Sequence, residues 1–209
     1  MRNVSSIVPA VMATALLAAG GAEAGFTYDE LLDGDLSNDP SQPTVLAPGV
    51  GSNFLSGNFA PPPGVDGPGI DYLSMTVPVG LQLSEVRLLS ASVGGAFSFI
   101  GVAAGPTIPF PYNEPDPSLL LGWAHFGSAD IGSDLLPPIG DGPGAIGFDG
   151  PLPSGTYTFW LMELEGSSDA TYSFDFVLTS VPAPACAWLP ATALALGRRR
   201  RRAAAPTAR

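Results

Sequence analysis

Tyr172-Ser173-Phe174-Asp175-Phe176-Val177-Leu178-Thr179 is the stretch that decides the fold. Tyr172, Phe174, Phe176 and Leu178 alternate with Ser173, Asp175, Val177 and Thr179, a period of two that puts aromatic and aliphatic side chains on one face of a half-buried strand. Just upstream, Pro153-Ser154-Gly155 marks a turn, and Thr156-Tyr157-Thr158-Phe159-Trp160-Leu161-Met162 follows with the β-branched and aromatic content of a second strand. Glu165-Gly166-Ser167-Ser168-Asp169 between them is a polar loop of hairpin length. Further out, Ile70–Val77, Leu81–Val93, Ala96–Ala103 and Leu119–Phe126 read as strands, with Gly, Pro, Asn and Asp in the gaps. No segment of the middle has the pattern and caps of an amphipathic helix, and no internal repeat is present. The expected fold is all-β: one β-sandwich or jelly-roll-like domain over residues 25–180. Residues Ala60–Gly69 and Asp134–Gly144 are so rich in Pro and Gly that they read as extended surface connections.

Charge is partitioned along the chain. There is no lysine; Arg2 lies at one end and Arg198–Arg202 and Arg209 at the other, so residues 25–180 hold 18 acids against the single base Arg87. Such a body repels phosphate backbones, which excludes nucleic acid as its partner and leaves cations, or polysaccharide hydrated around them, as compatible company. The acidity also serves solubility alone. The single cysteine, Cys186, permits no intrachain disulfide, which suits a bacterial export route.

The two ends read as addresses. Met1-Arg2-Asn3, an apolar run from Ile7 to Ala19, and the small-residue triplet Ala22-Glu23-Ala24 form a signal peptide over residues 1–24, to be cut by signal peptidase before Gly25. At the other end, Val181-Pro182-Ala183-Pro184 is a stiff extended mark, followed by a charge-free run from Ala185 to Gly197 and the cluster Arg198, Arg199, Arg200, Arg201, Arg202. Thirteen helical residues reach about 20 Å, short of the roughly 30 Å hydrocarbon core unless arginines snorkel. The arginines hold their side in the cytoplasm, so the domain before them faces outward.

In these elements residues 181–209 resemble the PEP-CTERM sorting signal, whose family is read by exosortase, a membrane transpeptidase-like enzyme that cuts at a Pro-Glu-Pro motif. Ala183 stands where that motif has glutamate. The resemblance implies an exosortase-like partner during export, membrane contact through the C-terminal segment before processing, and a final place at the cell surface or outside the cell. The body, through Asp71-Tyr72-Leu73-Ser74-Met75-Thr76-Val77-Pro78 and Leu152-Pro153-Ser154-Gly155-Thr156-Tyr157-Thr158-Phe159, is similar to bacterial pre-peptidase C-terminal domains. That similarity implies a noncatalytic β-sandwich attached to secreted proteins.

Catalytic residue types are scarce. His125, the only histidine, lies in the apolar run Leu119–Phe126 and reads as a strand residue. The chain has no Schiff-base lysine, no thiol before the tag and no Gly-x-Ser-x-Gly elbow. Glu163 and Glu165 form a carboxylate pair of the kind glycosidases use, although such a pair is ordinarily a solvated edge. No enzyme is expected. For metal, Asp33, Asp35 and Asp39 alternate with Gly34, Ser37 and Asn38 as hard oxygen donors that suit calcium, with Asp71 as a more distant ligand. The EF-hand pattern itself is not met, because Asn38 and Thr44 occupy its Gly and Glu positions. The functional expectation is a noncatalytic protein of the cell envelope or extracellular matrix. The alternative is a carbohydrate- or calcium-binding module that stacks sugar rings on Tyr112, Trp123 or Trp160.

Overall fold

The computed structural model describes residues 25–60, 68–92, 97–164 and 170–182. In chain order it contains β1 (Thr27–Asp29), α1 (Glu30–Asp33), β2 (Thr44–Leu46), β3 (Phe54–Asn58), β4 (Ile70–Val77), β5 (Leu81–Ser92), β6 (Ser98–Ala104), β7 (Gly122–Phe126), α2 (Leu136–Gly140), β8 (Gly155–Glu163) and β9 (Thr171–Ser180). The strands form two sheets, ordered β1-β3-β9-β5 and β2-β4-β8-β6-β7. No helix among the described residues is long and apolar enough to cross a membrane.

Alternation along each strand builds the core. From β9, Tyr172, Phe174, Phe176 and Leu178 point inward; from β8, Tyr157, Phe159 and Leu161 do the same, and all join one buried cluster that draws on both sheets. Phe159 and Phe176 meet edge to face across the two layers, ring centroids 5.1 Å apart, and Phe126 meets Phe174 at 5.3 Å. Each fully buried aromatic or aliphatic side chain contributes about 1.5–3 kcal/mol relative to exposure.

The loop 165–169 does not close a hairpin. β8 pairs with β4 and β6, whereas β9 pairs with β3 and β5, so the two strands lie in opposite sheets and face each other through the core. Both carry a full apolar face and each needs a partner on both edges; loop length alone does not reveal that. Pairing is instead nested: β3 with β9, β4 with β8, and β6 with β7, all antiparallel. β5 continues the nest with residues 132–135, through Gly132 N–H to Leu88 C=O and Leu135 N–H to Val86 C=O, each 2.8 Å.

The expected extended connection Asp134–Gly144 is also corrected. Its first half is the helical turn α2, in which Leu136 and Ile139 are buried. Pro137 fits the first turn, where no intrahelical N–H is required, and Asp134 Oδ1 accepts from Leu136 N–H at 3.0 Å and from Val86 N–H at 2.9 Å. The connection Ala60–Gly69 lies mostly outside the described residues.

The outer face of the second sheet carries its own aromatic layer. Phe99 lies over Gly101, where a Cβ would come within 3.0 Å of the Phe99 ring, and the gap lets Phe99 reach Trp160 at 4.6 Å and Trp123 at 5.9 Å between centroids. Ile108, Phe110 and Leu120 from the long β6–β7 connection cover this layer.

Candidate functional site

Asp29 closes β1 and caps α1, accepting Leu31 N–H at 3.0 Å, and Asp33 Oδ2 accepts Asp29 N–H at 2.9 Å. This tight turn swings Glu30 into the interior, where only 6% of it is exposed. Gly57 of β3 makes the space, since a Cβ there would sit 2.5 Å from Glu30 Oε2 and 2.5 Å from Tyr172 Oη. From the opposite sheet β4 sends Asp71 inward, 2% exposed. Tyr172 of β9 stands between the two acids, its Oη 2.9 Å from Asp71 Oδ2 and 3.2 Å from Glu30 Oε1. Asp35 completes the group: carboxylate oxygens of Glu30, Asp35 and Asp71 lie within 4.8 Å of one another.

The electrostatics follow from burial without a counter-charge. The body's one base, Arg87, is an exposed residue ion-paired with Glu85. Burial pushes the Asp71 carboxyl well above the usual range; the Glu30 and Asp35 charges add to this, and the Tyr172 hydrogen bond opposes it. Burial also raises Glu30, against the pull of N–H groups from Asn58 at 2.8 Å and Leu36 at 3.2 Å. Asp35 is raised by burial, and Tyr172 well raised by burial and by both acids. A phenol has one proton, so Tyr172 donates to only one carboxylate. The backbone donors on Glu30 make it the better anion of the two.

Of the residues expected to ligate calcium, the structure brings only Asp35 into this cluster, together with the distant candidate Asp71. Asp33 is engaged with the Asp29 backbone, and Asp39 accepts from Ser41 N–H at 2.8 Å, Ser41 Oγ at 2.7 Å and Gln42 Nε2 at 3.0 Å. Those Ser41 and Gln42 bonds hold the Asp39 carboxyl below its usual range. A cation entering the interior would therefore meet Glu30, Asp35 and Asp71. Glu30 escaped the sequence reading because it looked like one more acid after β1; the inward-pointing register of Asp71 in an otherwise apolar strand face was its available signal.

The remaining candidates are dispersed. Trp160 is 2% exposed inside the outer aromatic layer, and its Nε1 has no hydrogen-bond partner among the described residues. Trp123 is half-buried with Nε1 donating to Pro143 C=O at 3.1 Å, while Tyr112 is exposed. His125 stands on the outer face of β7 beside Phe97 and Trp123, centroids 6.2 and 5.3 Å away. Glu163, expected at a solvated edge, is instead buried and accepts from Ser98 Oγ at 2.9 Å; it points inward because it shares the face of Phe159 and Leu161. Glu165 lies outside the described residues, as do Ala22, Ala24, Ala183, Pro184 and Arg198–Arg202. Gly25, Val181 and Pro182 lie at the ends of the described residues.

A groove of about 540 Å³ opens on the outer face of the first sheet, with Asp29, Leu31, Ser56, Asn58, Ser90 and Ser173 among its lining. No family model, no curated protein and no solved structure matches this chain.

Proposed function

We propose that this chain is an exported bacterial surface protein, in which an acidic β-sandwich of jelly-roll type is displayed after removal of a signal peptide and processing of a C-terminal sorting tag. The displayed part acts by presenting surface, not by catalysis. The observation that carries this reading is the charge partition: every base except Arg87 lies at the ends, in the patterns of a signal peptide and a sorting tag. The nested strand pairing supports the jelly-roll assignment, since rolling an antiparallel ribbon around a core pairs first strand with last and second with next to last. The paired state of Arg87 supports a body with no attraction for polyanions.

Intact-mass analysis of the surface-exposed form is the test. The expected chain starts at Gly25 and ends near Val181–Pro184. Recovery from outside the cell of a chain still ending at Arg209 overturns the sorting tag.

A second reading, carbohydrate binding by the displayed domain, is favoured by the groove on the first sheet, whose lining includes Ser56, Ser90 and Ser173. The jelly-roll architecture hosts lectins among other functions, an analogy of fold that adds only background support.

A further inference from the structure

We infer that the groove across the outer face of β3, β9 and β5 is a binding site for a neutral saccharide chain, with Ser56, Ser173 and Ser90 as its hydrogen-bonding floor and Leu31 as its apolar lip. This rests on the carbohydrate reading above and adds the site and the charge class of the sugar.

The floor follows from strand register. Ser56 of β3 lies opposite Ser173 of β9, and Ser173 opposite Ser90 of β5, so three hydroxyls form one row across the sheet. The next row is Asn58, Thr171 and Ser92. Neighbouring groups are then about 4.8 Å apart across strands and about 7 Å apart along them. Several other side-chain hydroxyls are used by the fold: Ser52 donates to Asp175, Ser84 to Val177 C=O, Ser98 to Glu163 and Thr158 to Gly105 C=O. Among the described residues, the hydroxyls of Ser56, Ser90, Thr171 and Ser173 bond to no protein group. They are left as donors and acceptors at once, which is what a polyhydroxylated ligand presents in return.

The lip supplies the other half of sugar recognition. Leu31 is 86% exposed on the short α1 turn, and its neighbour Leu32 is 83% exposed. A leucine held in water at the mouth of a serine-floored groove gains by covering the C–H face of a pyranose. Charge selects among saccharides. Asp29 is the acid in the lining and no base joins it, so a uronate or sulfated chain is repelled while a neutral one loses nothing.

The experiment titrates the purified full-length chain with cellohexaose, xylohexaose, mannohexaose and hexagalacturonate by calorimetry. The expected result is saturable binding of at least one neutral hexasaccharide and none of hexagalacturonate, with at least tenfold weaker binding by the Ser56→Ala/Ser173→Ala double variant. Both serines face solvent, so its melting temperature should stay within a few degrees of the parent's and report intact folding. If a neutral hexasaccharide binds the double variant as tightly as the parent, and Tyr112→Ala weakens it instead, the groove assignment is overturned while carbohydrate binding stands. If no neutral hexasaccharide binds, or hexagalacturonate binds better, both fall.

Discussion

Tyr172 and Asp71 reach each other from opposite sheets, Oη to Oδ2 at 2.9 Å, and form a polar link across the interior. The same hydroxyl lies 3.2 Å from Glu30, so one phenol ties β9 to β4 and to the segment that follows β1. The link is stable only while the charge on the two acids is limited, because among the described residues nothing basic stands near them.

That limit sets the pH dependence. Asp71, Glu30 and Asp35 all have folded-state pKa values raised above the unfolded ones, so the native state holds more protons. Their contribution to stability is complete below the ordinary values, 3.8 for aspartate and 4.5 for glutamate, and is lost as pH rises through the raised ones. Melting temperature is therefore expected to fall from pH 5 to pH 8. Asp71→Asn should flatten that slope and stabilise the protein at pH 8 by about 1–2 kcal/mol, since a neutral amide replaces a group that resists ionising. A variant as pH-dependent as the parent would sink this account.

Gly57 makes the cluster possible. Gly57→Ala places a methyl against Glu30 Oε2 and Tyr172 Oη, both part of a buried network with little room to yield. The expected cost is about 1–3 kcal/mol in urea unfolding, with the m-value unchanged. The comparison is Gly150→Ala, whose added Cβ meets nothing within 4 Å and which is strained only by its φ of 74°. An unchanged urea midpoint for Gly57→Ala would mean that Glu30 and Tyr172 yield and that space does not explain Gly57, whose φ lies outside the left-handed region.

Asn53 is the other polar anchor. Fully buried, it accepts from Phe26 N–H at 3.2 Å and Gly49 N–H at 2.8 Å, and the two N–H groups of its Nδ2 serve the carbonyls of Gly49, Gly51 and Phe176 between them, one in a shared bond. Asn53→Ala strands several backbone groups at once and should cost about 2–4 kcal/mol. Hydrogen exchange should quicken first at Phe26 and Gly49. Unchanged protection at those amides would show that the anchor is not what holds them.

A divalent cation would compete with a proton for the carboxylates of Glu30, Asp35 and Asp71. At pH 8 millimolar calcium is expected to raise the melting temperature of the parent by mass action and to leave Asp71→Asn nearly unmoved. Asp39→Ala should respond as the parent does, because its carboxylate is occupied by Ser41 and Gln42. If calcium shifts nothing, protons alone neutralise the cluster. If only Asp39→Ala loses the response, the ligands are those of the loop.

What the sequence by itself determined is local. The alternation of Tyr172, Phe174, Phe176 and Leu178 fixed a strand with one apolar face, and Ile70–Val77 was legible to the residue, because side-chain period depends only on chain geometry. β1, β2 and β3 were not read: two of them have three residues each, and Phe54–Asn58 contains a glycine where no pattern calls for one. The tertiary structure alone decided that β8 and β9 oppose each other instead of pairing, since the choice depends on which neighbours fill their edges. It also decided which acids matter. Asp33, Asp35 and Asp39 are adjacent in sequence, yet proximity in the fold joins Asp35 to Glu30 and Asp71 from an α1 turn and the opposite sheet. Burial, which raises their proton affinity, is a property of the packed layers and is written in no single segment.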